Sequence, residues 1–187
     1  MLHPFKQVLT HFGLCASLAL ISLPANAGNG LAWAHGSDLL ALGLPALAAG
    51  SAWSQADAEG LKQLTYTLGT TVGAAEILKN TVHSTRPDGS DNKSFPSGHT
   101  AVAFAAVRFM DKRYGTEMAP YRPWLYAAAG LTGVARVQAD KHHWRDVLAG
   151  GALGWGAAQF WTEPVKGGQL SVVPTAGGAA VAWYRAW

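Results

Sequence analysis

Three short segments of this chain carry the residue types that could bind and cleave a phosphate ester. Lys79 is followed after six intervening residues by Arg86-Pro87, and Pro96-Ser97-Gly98-His99 comes next. The third segment is Arg136-x5-His142-x3-Asp146. Together the segments supply two guanidinium groups, an ammonium, a hydroxyl, two imidazoles and a carboxylate. Guanidinium and ammonium groups suit a tetrahedral dianion, so the pattern predicts a phosphate site.

His142 and Asp146 indicate how such a site would do chemistry. A spacing of four residues places both side chains on one helical face, so we expect the Asp146 carboxylate to hydrogen-bond the imidazole. A partner on one ring nitrogen fixes the tautomer and leaves the lone pair of the other nitrogen free to attack. We therefore predict His142 as the nucleophile and Asp146 as the group that orients it. His143 lies one residue off this spacing, and we give it no catalytic role.

The segment around Ser97 should lie where a loop becomes a helix. Free N–H groups at a helix start bind anions, and Gly98 lets the backbone approach closely. Ser97 adds a hydroxyl donor, and His99 would point into the same pocket as the general acid. We predict that Lys79, Arg86 and Arg136 neutralise the oxygens of the transferring phosphoryl group.

These segments resemble the signature of the type 2 phosphatidic acid phosphatase and vanadium haloperoxidase superfamily. The family pattern is Lys-x6-Arg-Pro, then Pro-Ser-Gly-His, then Ser-Arg-x5-His-x3-Asp, and this chain departs from it only at Ala135. The resemblance spans residues 79–146, and the flanking helical pattern extends it to 37–162. It implies hydrolysis through a phosphohistidine on His142, with the acid role at His99.

Neither a metal nor another cofactor is expected. His83, Asp88 and Asp91 match no standard ligand spacing, and the resemblance implies metal-independent hydrolysis. Vanadate should act as an inhibitor, or as the cofactor if the chain is a haloperoxidase. The chain has a formal net charge of +3 without a run of Lys or Arg, which disfavours nucleic acid as a partner. The predicted partner is a phosphorylated small molecule or lipid.

The N-terminal residues 1–27 read as a signal peptide. Lys6 precedes an apolar run over residues 12–23, and Ala25-Asn26-Ala27 forms a small-x-small cleavage site. The only cysteine, Cys15, lies inside this segment. Cleavage after Ala27 predicts a periplasmic or secreted protein. The alternative is an uncleaved first membrane helix and an integral inner-membrane protein, although the run is shorter than the roughly 20 residues that a span needs.

The remaining chain, 28–187, is predicted to form one all-α domain. Helices are expected over residues 38–53, with Ser37 as the N-cap and a kink at Pro45, and from a capping box at 54–57 to about 80. Further helices are expected over 99–113, 123–137 and 146–161. These five helices should pack as a bundle with its core in 37–162. The tail, 168–187, alternates apolar residues around Pro174 and Gly177-Gly178, which predicts a short β-hairpin. The glycines of residues 150–154 favour close helix packing.

Three functions are compatible with this pattern. The first is a phosphatase acting on phosphomonoesters or diphosphates, including those of lipids. The second is a vanadium haloperoxidase, which the short chain disfavours. The third is a non-catalytic phosphate- or lipid-binding protein of the cell envelope, suggested by Ala135 and the aromatic residues Trp183, Tyr184 and Trp187. Charged residues in the helices favour a domain that is soluble or peripherally bound to a membrane, and the sequence leaves the oligomeric state open.

Overall fold

The computed structural model describes residues 30–165, 169–175 and 178–184. Within these ranges the helices are α1 (Gly30–Ser54), α2 (Ala58–Thr81), α3 (Gly98–Met118), α4 (Arg122–Gln138) and α5 (Trp144–Trp161). The predicted all-α bundle is therefore confirmed. The predicted signal peptide, residues 1–27, lies outside the described residues.

Helix α1 begins earlier than the sequence suggested. Ser37 was expected to cap it, but the helix already runs from Gly30 and continues through Pro45. The Ser37 hydroxyl lies inside the helix and donates to the Ala34 carbonyl at 2.7 Å. A serine hydroxyl bonds the preceding turn as readily as it caps a helix, so residue type alone could not separate the two.

The start of α2 is also corrected. Its cap is Asp57, whose carboxylate accepts from the Gly60 N–H at 2.9 Å, whereas Ser54 donates its hydroxyl to Ser51 O within the end of α1. Asp57 is also bound by the Arg113 guanidinium, with 2.6 Å between Nη2 and Oδ1, and by the Tyr114 hydroxyl at 3.0 Å. This buried ion pair joins the start of α2 to α3 at the end of the bundle opposite Gly98.

Helix α3 forms the centre of the bundle. Its residues Val107, Phe109 and Met110 are fully buried against apolar residues of the other helices. It approaches α5 so closely that a Cβ on Gly154 would collide with the carbonyl of Ala101, and one on Gly150 with the carbonyl of Ser97. The close packing predicted from the α5 glycines is confirmed, and it fixes the first turn of α3 against α5.

The C-terminal segment forms two antiparallel strands, β1 (Gln169–Thr175) and β2 (Gly178–Tyr184). Their register pairs Gln169 with Tyr184 and Thr175 with Gly178, an antiparallel pairing that lies within the tail predicted as a hairpin. Within the described ranges, none of the helices combines the length and the hydropathy that crossing a membrane requires.

Candidate active site

The three segments singled out by the sequence meet at one end of the bundle. Lys79, near the end of α2, places its Nζ 3.3 Å from where a Cβ on Gly98 would lie. The Ser97 N–H donates to the Asp146 carbonyl at 2.9 Å, which joins the start of α3 to the start of α5. Arg86, in the loop after α2, donates from Nη1 to the Lys141 carbonyl at 3.0 Å. The fold therefore brings all three segments together.

His142 does not lie on the helix that carries Asp146. Helix α5 begins at Trp144, and the His142 N–H is bound to the Arg136 carbonyl at 3.3 Å, in a turn after α4. Its Nδ1 is 2.7 Å from the Ser94 carbonyl oxygen and 4.0 Å from Asp146 Oδ2. The expected direct hydrogen bond between Asp146 and His142 is therefore wrong, because the pair straddles the helix start and does not share its face.

Asp146 instead ties together the segments around His142. It is the third residue of α5, and its Oδ2 accepts from the Ser94 hydroxyl at 2.6 Å and from the His143 N–H at 2.9 Å. The His143 ring nitrogen Nδ1 lies 3.2 Å from the same oxygen. Burial raises the pKa of Asp146, but the hydrogen bonds from Ser94 and His143 outweigh it, and the pKa is lowered. The buried carboxylate is thus ionised at neutral pH.

Ser94 is the contact that sequence reasoning missed. It is fully buried, and it accepts from His142 with its carbonyl while donating to Asp146 with its hydroxyl. A carbonyl oxygen can only accept a hydrogen bond, so Nδ1 carries the proton and the Nε2 lone pair is free. The sequence does not indicate this role, because the contact with His142 is made by the backbone carbonyl, which every residue type has.

His142 is held as the neutral imidazole. Burial lowers its pKa to about 4, and the nearby charges of Arg86 and Arg136 act in the same direction. Only 2% of its side chain is exposed. A neutral imidazole with a fixed tautomer is the form in which histidine acts as a nucleophile.

His99 has a partner that the sequence interpretation did not include. Its Nε2 lies 2.8 Å from Oδ1 of Asp38, which also lies 3.5 Å from Nη1 of Arg136. Burial lowers the pKa of His99. The charges of Arg136 and Lys79 lower it further, whereas the charge of Asp38 acts in the opposite direction. One signal was available: Asp38 is the only acidic or basic residue between Lys6 and Asp57, apart from histidine.

The three cations differ in how they are held. Lys79 Nζ bonds Glu76 Oε1 at 2.7 Å, and Arg86 Nε bonds Asp91 Oδ1 at 2.7 Å. Arg136 is buried, and within the described part of the chain its Nε has no hydrogen-bond partner. A buried unpaired N–H is costly, so this donor is available to an anion in the pocket.

The start of α3 has the geometry expected of an anion-binding turn. Ser97 precedes the helix with an extended backbone, and its buried hydroxyl lies 2.9 Å from that of Thr100. The amide groups that follow, from Gly98 onward, are those that an α-helix leaves without an intrahelical acceptor. Ala135, which replaces the family serine, is buried next to Arg136.

The sequence model of the PAP2 superfamily matches residues 60–166. This is more than half of the chain and contains every predicted site residue, and the chain belongs to the PAP2 superfamily.

Three curated proteins are similar in sequence to this chain. The Lipid A 1-phosphatase of Porphyromonas gingivalis is 42% identical over 69 residues, covering 37% of this chain and 16% of that protein. The Lipid A 4'-phosphatase of Helicobacter pylori is 35% identical over 127 residues, covering 66% and 58%. Lipid phosphate phosphatase 1 of Arabidopsis thaliana is 38% identical over 80 residues, covering 37% and 24%. The chain therefore spans less than two thirds of the length of these relatives.

One solved structure is also similar to this chain. It is that of a transmembrane PAP2 type phosphatidylglycerolphosphate phosphatase from Bacillus subtilis, with a TM-score of 0.38 and 22% identity. The match covers 85% of this chain and 94% of that chain.

Proposed function

We propose that this protein is a phosphatase that hydrolyses phosphate monoesters or diphosphates through a phosphohistidine on His142. The observation that carries the proposal is the bond from His142 Nδ1 to the Ser94 carbonyl at 2.7 Å. That bond leaves Nε2 as the only ring nitrogen able to attack. The cationic side chains of Arg86 and Arg136 lie close enough to lower the pKa of this histidine.

In the first step, the Nε2 lone pair forms a bond to phosphorus while the bond from phosphorus to the leaving oxygen breaks. Protonated His99 gives its proton to that oxygen, and the alcohol or phosphate leaves. Arg86, Arg136 and Lys79 bind the oxygens of the transferring group, where negative charge must be stabilised. Asp38, 2.8 Å from His99 Nε2, favours the protonated form that this step uses.

In the second step, His99 takes a proton from water and the resulting hydroxide attacks phosphorus. The bond between phosphorus and Nε2 breaks, inorganic phosphate leaves, and both histidines return to their starting forms. Every electron pair and proton is supplied by the substrate, by water or by the two histidines. The proposed mechanism uses no metal ion.

The substrate class is proposed to be a phosphorylated lipid. The relatives named above are lipid A and lipid phosphate phosphatases. Haloperoxidase activity and non-catalytic binding are the other candidates.

Assays of phosphate release, bromide oxidation and phosphate binding separate these candidates. Phosphate release is measured from an aryl phosphate, from phosphatidate and from an isoprenoid diphosphate, and bromide oxidation is measured with peroxide and vanadate. We expect phosphate release in wild type and none in His142→Ala, with acid-labile phosphate trapped on the wild-type chain by rapid quench. Full activity in His142→Ala would refute the mechanism. Vanadate-dependent bromination would favour the haloperoxidase, and binding of phosphate without turnover would favour the non-catalytic protein.

The proposal places the protein in the periplasm or outside the cell after cleavage behind Ala27. The supporting pattern is a single early Lys6, a short apolar run and a small-x-small site. N-terminal sequencing of the mature protein should begin at Gly28. An intact Met1 in a fraction released only by strong detergent would support the integral inner-membrane alternative.

A further inference from the structure

An apolar groove runs along the outside of the bundle, between α4 and α5, with α3 at its base. Its volume is about 490 Å³, and the surface that lines it is almost entirely apolar. Its walls are formed by Phe104, Gly130, Val134, Trp144, Val147, Leu148, Gly151, Ala152 and Trp155. Trp144, Leu148 and Trp155 remain 54%, 70% and 44% exposed, so a large apolar face is left without a partner among the described residues.

We propose that this groove binds the acyl chain of a phosphorylated lipid while the phosphate lies in the pocket of His142, an inference that rests on the proposed function. One end of the groove lies at the same height along the bundle as the pocket of His142. At this end Trp144 is two residues from His142 along the chain, and Val134 is two residues from Arg136. The cationic pocket and the apolar groove are therefore complementary to the two parts of an amphiphile. Exposed apolar surface of this kind commonly marks a binding site.

The far end of the groove is closed by polar groups. The Arg108 guanidinium lies over the Trp155 ring at 5.0 Å from its centre and donates to the Gln159 side chain at 2.7 Å. From Trp144 to Trp155 the helix rises by about 16 Å at 1.5 Å per residue. A chain that passes Trp155 would meet this charged group, so the groove should select for acyl length.

Gly130 offers a way to fill the groove without touching the phosphate pocket. A Cβ on Gly130 would meet no atom within 4 Å, so a larger side chain there projects into open space. Leucine is also a better helix former than glycine, so the replacement should not destabilise α4. Gly156 on α5 has the same open surroundings but does not line the groove, which makes Gly156→Leu the matched control.

The test compares both variants with wild type on lysophosphatidates with hexanoyl, octanoyl, decanoyl and dodecanoyl chains, kept below micelle formation. Each newly buried methylene should raise kcat/KM by about two- to fourfold until the groove is full, since complete burial of a methylene contributes about 0.8 kcal/mol. The ratio of kcat/KM for the decanoyl substrate to that for an aryl phosphate should fall at least tenfold in Gly130→Leu. It should stay within about twofold of wild type in Gly156→Leu.

A binding measurement separates failure of the groove from failure of the proposed activity. A brominated alkylphosphonate, which cannot be hydrolysed, should quench tryptophan fluorescence in wild type and Gly156→Leu but not in Gly130→Leu. The quenching should shrink in Trp144→Phe and Trp155→Phe. Turnover of no phosphate ester with quenching intact would refute the phosphatase and support the groove.

Two results would overturn the acyl site. The first is an unchanged dependence on chain length in Gly130→Leu, together with unchanged quenching. The second is a change of sedimentation coefficient in Gly130→Leu without an effect on lipid selectivity, because it would show that a second copy of the chain covers this face.

Discussion

The carbonyl oxygen of Ser94 lies 2.7 Å from Nδ1 of His142, while the hydroxyl of the same serine lies 2.6 Å from Oδ2 of Asp146. Asp146 thus acts on His142 through Ser94, whose hydroxyl bonds the aspartate and whose backbone carbonyl bonds the histidine. This arrangement differs from a direct carboxylate–imidazole pair, whose oxygen and nitrogen are here 4.0 Å apart.

Ser94→Ala keeps the carbonyl and removes the hydroxyl that anchors it to Asp146. Loss of a hydrogen bond to a charged group costs about 1–3 kcal/mol, so we expect kcat to fall by about ten- to a hundredfold. KM should change little, because the phosphate-binding cations are untouched. Steady-state kinetics with an aryl phosphate checks this. Ser51→Ala, which removes a buried hydroxyl bound to Leu47 O within α1, is the control and should keep the wild-type kcat.

The pKa of His142 predicts the acid limit of activity. Burial and the charges of Arg86 and Arg136 lower it to about 4, so the imidazole proposed as the nucleophile stays neutral down to that pH. After correction for the ionisation of the substrate, the acid limb of kcat/KM should fall about tenfold per pH unit below pH 4, whereas the alkaline limb reports the loss of the proton from His99. An acid limb that begins near pH 6.5 would show that His142 titrates as an exposed histidine.

The same shift has a consequence for stability. The unfolded chain binds a proton to His142 near pH 6.5, whereas the folded protein resists protonation down to about pH 4. The unfolded state therefore holds more protons in this window, and the free energy of unfolding falls as pH decreases through it. Urea unfolding of wild type and His142→Gln between these pH values should show a shallower dependence in the variant.

The sequence was sufficient for the bundle, for the convergence of its three motif segments and for the terminal strand pair. The predictions from the sequence were wrong where one residue type can make two different kinds of contact. Serine commonly caps helices, yet the hydroxyls of Ser37 and Ser54 donate to carbonyls inside α1. The Asp146 spacing fits a shared helix face, but a helix start falls between the two residues. The residue at which a helix begins depends on tertiary contacts, here the packing of α5 on Ser97. The periodicity of the sequence does not contain this information.

Asp38 should control the general acid. Burial, Arg136 and Lys79 lower the pKa of His99, while Asp38, 2.8 Å away, opposes them. Asp38→Asn removes the opposing charge, so the pKa of His99 falls further. The protonated form is then lost at lower pH, and the alkaline limb of kcat should move to lower pH. Glu59→Gln, which removes an exposed carboxylate paired with Lys62, should leave this limb in place.

Gly150 should be intolerant of any side chain. A Cβ there would collide with the carbonyl of Ser97, at the residue that precedes the phosphate-binding turn. Gly150→Ala should lower the free energy of unfolding by about 1–3 kcal/mol, as overpacking does, and should reduce activity by displacing the start of α3. Gly156→Ala, in open space on the same helix, should be neutral or stabilising by up to about 1 kcal/mol. Equal stability of the two variants in urea unfolding would contradict this packing.

Metal removal and vanadate together test how the charge of the transition state is stabilised. Three cations and the start of α3 are proposed to do this without a metal, so dialysis against a chelator should leave kcat unchanged. Orthovanadate should inhibit competitively, because it resembles the five-coordinate phosphorus that the pocket stabilises. Arg136→Lys should weaken vanadate inhibition, since the buried guanidinium with its unpartnered Nε is replaced by a point charge. Activity that disappears in chelator and returns with a divalent ion would show that a metal takes part, and would require a different assignment of these cations.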